Sequence, residues 1–287
     1  MSYVVTGATG HLGRLVVQHL LADGVPAADI VATGRRTERL ADLAEQGVRV
    51  AAVDYGRPET IAAAVEGADV VLLVSGSEVG QRVEQHRAVI EAAKGAGVRR
   101  LVYTSAPQAD TSPLVLAPEH KATEEILRAS GLTFTILRNG WYTENYVGDV
   151  QQAAASGEIV AAVGDGRVAS APRDDFAAAA AVVLRTEGHD DAVYELSGDV
   201  AWGFDDLAAA ASEVLGRPVV FRAVTSEERR AGLLAAGLDE GTAGFVVALD
   251  ENTRDGLLAG TSGDLARLIG RPTTPLAAAL RAALAAA

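Results

Sequence analysis

Three glycines near the start of the chain, Gly7, Gly10 and Gly13, fall at a G-x-x-G-x-x-G spacing within Val5-Thr6-Gly7-Ala8-Thr9-Gly10-His11-Leu12-Gly13. Such a turn can bring backbone N–H groups up to a phosphate, because glycine removes the side chain where backbone, ligand or a neighbouring element must approach closely. A plain glycine-rich turn is the alternative, and context decides between the two. The segment leads from a β-branched run, Tyr3–Thr6, into an apolar-periodic one, His11–Asp23, so the glycines join a strand to a helix. In that setting Gly7 permits the tight turn, Gly10 lets the backbone reach a pyrophosphate, and Gly13 lets helix and strand pack. The helix N-terminus supplies free donors and the positive end of its dipole. The stretch from Gly7 through Thr9, Gly10, His11 and Leu12 to Gly13 is therefore expected to bind a dinucleotide.

The next strand ends Thr33-Gly34-Arg35-Arg36. A carboxylate there would take the free ribose hydroxyls of NADH, whereas a guanidinium can hold the 2′-phosphate of NADPH through charge-assisted hydrogen bonds. Arg35 thus favours NADPH, unless both arginines only open a solvated helix. Asp54-Tyr55, Ser75-Gly76 and Tyr103-Thr104-Ser105 follow or end the third, fourth and fifth strands, on the same sheet edge as the glycine turn. Position makes them candidates for adenine, ribose and nicotinamide contacts, or ordinary turn residues.

For the chemistry, a Tyr-x-x-x-Lys pair would mark a standard alcohol dehydrogenase, and the chain has none. The helix after the fifth strand instead carries His120 and Glu124 one turn apart on one face. His120 is a candidate catalytic residue with three readings: a proton donor, a positioner of the nicotinamide, or a structural histidine. The five histidines form no metal-ligand cluster, there is no cysteine, and neither a G-x-S-x-G elbow nor a phosphate-binding G-x-x-x-x-G-K-[ST] loop occurs. No metal is expected. Directly after the sixth strand, Asn139, Trp141, Tyr142 and Tyr146 crowd together, holding three of the eight Trp and Tyr residues of the chain. Such a wall would stack flat conjugated rings and offer a hydrogen bond to a carbonyl, or seal a seam between lobes.

These residues need a scaffold, and the N-terminal half supplies its rhythm. Strands are expected at Tyr3–Thr6, Ile30–Thr33, Val48–Val53, Val70–Val74, Arg100–Thr104 and Thr133–Leu137. Helices are expected between them at His11–Asp23, Thr37–Gln46, Pro58–Glu66, Val79–Ala96 and Pro118–Ser130. Alternation of this kind makes a doubly wound parallel sheet of Rossmann type, an α/β fold. Further on, helices at Asp174–Leu184, Phe204–Leu215, Ser226–Ala236 and Leu276–Ala286 alternate with short strands such as Val193–Leu196 and Val219–Ala223. We expect a dinucleotide-binding domain over residues 1–150 and a smaller α+β lobe over 151–287, some of whose segments return to pack on the first. With 38 acidic against 25 basic side chains the net charge is −13, which disfavours nucleic acid as a partner. No apolar run approaches membrane-spanning length and no targeting segment is visible, so a cytoplasmic protein is expected.

Taken together, the residues resemble the NmrA-like branch of atypical short-chain dehydrogenases, and within it the type 2 NADPH:quinone reductases and the related triphenylmethane dye reductases. The resemblance rests on the glycine turn, on Ser77-Glu78-Val79-Gly80-Gln81-Arg82 with Gln85-His86-Arg87, and on Tyr103-Thr104-Ser105. It continues through Ala109–Leu114, Leu137–Tyr142, Gly164-Asp165-Gly166, Tyr194–Asp199 and Leu268–Thr274, and so spans nearly the whole chain. It implies a flavin-free reductase that passes a hydride from NADPH to a quinone-like small molecule, with the family's phosphate-binding arginine at Arg35 and its substrate-side loop at Asn139–Tyr142. Reduction of another conjugated acceptor, an enone, imine or dye, stays open. So does an NADP(H) sensor without turnover, since the branch contains transcription regulators. Monomer and homodimer are both open. The region around Gly232–Gly260 matches the family least well.

Overall fold

The computed structural model describes residues 1–78 and 80–286. Val79, where the sequence places the start of the fourth helix and which lies in the Ser77–Arg82 segment, is outside the described residues. The chain divides into two compact units, one comprising 1–110, 116–139 and 173–195, the other 111–115, 140–172 and 196–287.

The first unit opens with strand β1 (Tyr3–Val5), helix α1 (His11–Ala22), β2 (Ile30–Gly34), α2 (Ala41–Glu45) and β3 (Arg49–Ala52). It continues with α3 (Pro58–Val65), β4 (Val70–Leu73), α4 (Arg82–Gly95), β5 (Arg100–Ser105), α5 (Ala117–Ala129) and β6 (Thr133–Asn139). In the second unit follow α6 (Val147–Ser156), β7 (Glu158–Ala161) and β8 (Arg167–Val168); the chain then returns to the first as α7 (Arg173–Arg185) and β9 (Ala192–Leu196).

Sheet order is β3-β2-β1-β4-β5-β6-β9, and the pairings from β3 to β6 are parallel. The six strands and five helices expected from periodicity are present, with the sheet order of a doubly wound fold and its reversal between β1 and β4. β1, β2, β4 and β5 are buried along their whole length, as parallel strands covered on both faces must be, while β3 at the edge is half exposed. The expected second helix is split: Thr37–Leu40 is one turn of 3-10 helix and only Ala41–Glu45 is α.

α7 packs along α1, and its alanines Ala177, Ala179, Ala180 and Ala181 are all buried. The His19 ring in the last turn of α1 lies 2.8 Å from Asp174 in the first turn of α7, and Asp23, just after α1, pairs with Arg185 in the last turn of α7 at 2.9 Å. The buried Arg100 of β5 donates to the carbonyls of Val183 at 2.7 Å and Leu184 at 3.3 Å, so a cation caps the C-terminus of α7 where the helix dipole favours one.

The second unit is completed by β10 (Trp202–Gly203), α8 (Phe204–Leu215), β11 (Val220–Ala223), α9 (Ser226–Ala235), α10 (Glu240–Arg254), α11 (Asp264–Ile269) and α12 (Leu276–Ala285). Two small sheets, β7 parallel to β11 and β8 antiparallel to β10, frame it. Its aromatic core joins Tyr146, Trp202, Phe204 and Phe221, with ring centroids 5.0 to 5.9 Å apart. Among the described residues no helix is long and apolar enough to cross a membrane.

Candidate functional site

The glycine turn has the shape its spacing predicts. Gly7 adopts φ +63°, the left-handed region open to glycine, and its carbonyl accepts the Gly10 N–H at 2.9 Å. A Cβ on Gly13 would fall 2.6 Å from the Gly7 carbonyl oxygen, so the first turn of α1 sits against the loop backbone with no room for a side chain. No side chain caps α1, whose N-cap is Gly10. Its first N–H groups are therefore open to an anion, which is the arrangement a pyrophosphate needs. Leu12 and Gly13 are buried and His11 is exposed, so Leu12 offers its backbone only. Thr9 turns towards β2: a Cβ on Gly34 would lie 2.5 Å from Thr9 Oγ1 and Cγ2, which explains the glycine before Arg35.

Arg35 is exposed at the end of β2, and its Nη1 lies 2.7 Å from Glu78 Oε1. Gln85 Nε2 donates to the other Glu78 oxygen at 2.8 Å. Hydrogen bonds from Gln85 first and Arg35 second hold the Glu78 carboxyl below its usual pKa.

Of the other sheet-edge candidates, several prove to have their side chains engaged by the protein. Asp54 Oδ1 accepts the Gly56 N–H at 3.0 Å. The Tyr55 hydroxyl lies 2.5 Å from Thr6 Oγ1 and 2.9 Å from the Val74 carbonyl, tying β1 to the end of β4, and burial pushes its pKa well up. Tyr103, Thr104 and Ser105 are buried at the end of β5. Thr104 Oγ1 accepts the Ser75 N–H at 2.9 Å, and Ser105 donates to Glu124 at 2.6 Å. In the protein alone the side chains of Thr104 and Ser105 thus brace the sheet edge, and the Tyr103 hydroxyl meets His120.

Gly76 is held from both sides by residues that were given no role on sequence grounds. Its N–H donates to His86 Nε2 at 2.9 Å, and its carbonyl accepts Arg82 Nε at 2.8 Å. His86 Nδ1 lies 3.1 Å from Thr123 Oγ1, which itself donates to the Glu119 carbonyl. This fixes the neutral Nδ1–H tautomer, with Nε2 free to accept. The Glu119 carboxylate pairs with Arg82 and accepts the Gly80 N–H at 2.8 Å. Ser75 and Gly76 thus sit on a wired loop. Burial first, then His120 and Arg82, bring the His86 pKa down to about 3.

His120 and Glu124 share the buried face of α5 expected from their spacing, and Lys121 is exposed. His120 Nδ1 lies 2.7 Å from the Tyr103 hydroxyl, and the two rings stack. Burial first, and Arg82 second, lower the His120 pKa to about 3, while burial raises that of Tyr103 well above the phenol range. Both shifts favour the neutral forms of the pair near pH 7. Behind it Arg138 donates to both oxygens of Glu124, at 2.9 and 2.6 Å, and lies 2.9 Å from both Glu195 Oε1 and Asp110 Oδ1. Burial opposes the Arg138 charge, but these carboxylates outweigh it and raise its pKa further. Asn139, next in β6, is buried.

In the second unit the Trp141–Thr143 strip is pinned by a parallel bridge between Tyr142 and Ala171: Ala171 N–H donates to the Trp141 carbonyl at 3.2 Å and Thr143 N–H to the Ala171 carbonyl at 3.0 Å. Gly140 enters it past Leu196, whose carbonyl would be 2.8 Å from a Cβ. Trp141 and Tyr142 are half-buried. Trp141, Tyr146, Phe204 and Phe245 wall a cavity of about 500 Å³, with Asp149, Arg229 and Asp250 among its lining. Tyr146 both lines this cavity and belongs to the aromatic core of the unit. Among the described residues no group of three or more metal-ligating side chains occurs.

A glycine turn opening a helix at the carboxyl edge of a doubly wound parallel sheet defines a dinucleotide-binding class of protein. Residues 7–187 match the NAD(P)H-binding family, and the chain belongs to that family. It is 46% identical over 273 residues to quinone oxidoreductase 2 of Escherichia coli, covering 95% of each chain. To the NAD(P)H azoreductase of Xenophilus azovorans it is 30% identical over 275 residues, covering 96% of this chain and 95% of the relative. Among solved structures, the E. coli NADPH-dependent quinone oxidoreductase complexed with NADPH superposes with a TM-score of 0.93 at 45% identity, covering 98% of both chains. The Citrobacter triphenylmethane reductase complexed with NADP(H) gives 0.93 at 40% identity, covering 99% of this chain and all of the other.

Proposed function

We propose that this protein is a flavin-free reductase that passes a hydride from NADPH to a quinone or a similar conjugated acceptor. The observation that carries the reading is the full-length 46% identity to a quinone oxidoreductase, joined to a glycine turn built to receive the cofactor's pyrophosphate. The azoreductase and dye-reductase relatives extend the acceptor class beyond quinones. The reducing cofactor such a reaction consumes fits a cytoplasmic setting.

In this reading the backbone from Gly7 to Gly13 holds the pyrophosphate and Arg35 the 2′-phosphate. The wired Ser75–Gly76 loop shapes the sheet edge beside them. NADPH supplies the hydride. His120, held by Tyr103 and neutral, positions through hydrogen bonding, and the proton needed by a reduced quinone comes from water. A quinone yields a stabilised phenolate, so no activated tyrosine is required. Asn139, Trp141 and Tyr142 form the acceptor side, where stacking on Trp141 orients a flat ring. The test is NADPH oxidation by the purified protein against quinones, enones, imines and dyes with flavin omitted. Turnover is expected with quinones, and its absence with every acceptor sinks the proposal.

A further inference from the structure

The second-unit cavity combines aromatic walls with an unbalanced charge. Its roughly 500 Å³ falls within the size range of small-molecule pockets. Three charged side chains line it: Asp149 from the first turn of α6, Arg229 from α9 and Asp250 from α10. Arg229 and Asp250 satisfy each other, Nε to Oδ2 at 3.2 Å, and the same Asp250 oxygen accepts the Ala162 N–H at 2.9 Å. Among the described residues no hydrogen bond or ion pair engages the Asp149 carboxylate; Arg229 favours its charge only through space, and Asp250 opposes it. Two carboxylates thus face one guanidinium, and the carboxylate in excess is the one with no partner.

The same cavity is walled by Trp141, Tyr146, Phe204 and Phe245. Aromatic faces attract cations, and they do so more strongly where water is partly excluded. A carboxylate in such a wall strengthens the attraction, because Coulomb interactions grow as the local dielectric falls below that of water.

We infer that this cavity selects a flat aromatic cation, a protonated or quaternised nitrogen heterocycle, over its neutral isostere, and that Asp149 makes the selection. The aromatic faces give a cation a modest advantage of their own, and the larger part of the discrimination falls to the unpaired carboxylate. Burial first, and Asp250 beside it, raise the Asp149 pKa despite Arg229, and a bound cation would act against that shift by favouring the charged carboxylate. As a statement about which acceptor is reduced, the inference rests on the proposed acceptor role of the Trp141 strip. As a statement about binding, it does not.

The test uses N-methylquinolinium and its uncharged isostere methylnaphthalene, titrated by calorimetry into the full-length protein and its Asp149→Asn, Asp149→Ser and Asp149→Glu variants. An opposite charge a few ångströms away in a partly dry cavity changes binding by roughly tenfold or more. The wild type should prefer the cation by at least about tenfold. Asp149→Asn and Asp149→Ser should bring the preference to within about threefold without changing methylnaphthalene affinity, and Asp149→Glu should keep it. Equal affinities in the wild type, no binding of either probe, or an undiminished preference in both uncharged variants would overturn the inference. NADPH oxidation with a quinone is measured on the same samples. A charge preference without turnover upholds the selectivity and sinks the reductase reading, and turnover without a preference does the reverse.

Discussion

Arg35 Nη1 lies 2.7 Å from Glu78 Oε1, so the cation proposed to hold the 2′-phosphate is already paired with a carboxylate from the loop after β4. Both side chains are substantially exposed, and exposed pairs contribute only about 0.2–1 kcal/mol, a contact that a phosphate can displace. Arg35→Ala should weaken NADPH binding by about ten- to a hundredfold and NADH binding little, since a hydrogen bond to a charged group contributes roughly 1.5–3 kcal/mol. Glu78→Gln should act in the opposite direction, tightening NADPH by about two- to fivefold as the competing charge is removed. The ratio of the two dissociation constants, measured for each variant and the double mutant, checks both. An unchanged ratio in Arg35→Ala would place the phosphate elsewhere.

Trp141→Ala should raise the KM for a quinone while leaving NADPH affinity within about twofold, because aromatic stacking contributes roughly 0.5–1.5 kcal/mol beyond burial. Steady-state kinetics beside NADPH titration separate the two effects. Equal losses in both would make the Trp141 strip a packing element.

His86 and His120 give stability a defined pH dependence. Both have folded-state pKa values near 3 against a usual 6.5, so between those limits the unfolded chain binds protons that the folded chain refuses. Their contribution is complete above about pH 6.5 and is lost as pH falls towards 3, by up to about 1.4 kcal/mol per pH unit for each histidine. Asp149 and Asp250, whose carboxyl pKa values are raised by burial, act in the opposite sense nearer the carboxylate range. Urea unfolding from pH 7.5 to about pH 5 should show stability falling, and His120→Gln should flatten the slope. The same variant should keep at least a tenth of the turnover; a loss beyond about a hundredfold would reinstate His120 as a general acid.

Arg138 and Glu124 form a buried bidentate pair. Glu124→Ala leaves a guanidinium in the interior with one partner fewer and should cost about 3–5 kcal/mol in chemical unfolding. A cost under about 1 kcal/mol would mean that Glu195 and Asp110 suffice.

The fold was legible because each parallel strand is a short β-branched run and each crossover helix an apolar stripe, two periods that do not mimic each other. The glycine turn was legible because close backbone approach leaves glycine as the one residue that fits, as Gly13 shows. α10 was missed: Gly241, Thr242 and Gly244 disfavour helix, and a well-capped start at Asp239 with tertiary packing overrides them. The pairing of Tyr103 with His120 was not legible, because position along a strand does not reveal which face a residue occupies when both faces are buried. The roles of His86, Arg82 and Glu119 depend on distances between separate helices and a loop, which no local spacing encodes. Asp149 and Asp250 lie on helices about a hundred residues apart and share a cavity through folding alone.

The central claim is that NADPH passes its hydride to a conjugated acceptor on this protein without flavin. It is tested most directly by mixing the purified, flavin-free protein with NADPH and a quinone under anaerobic conditions and following nicotinamide and quinol together. The account predicts one quinol formed for each NADPH consumed, at a rate proportional to protein and unaffected by added flavin. NADPH that binds without being oxidised, or oxidation that begins only when flavin is supplied, would contradict it.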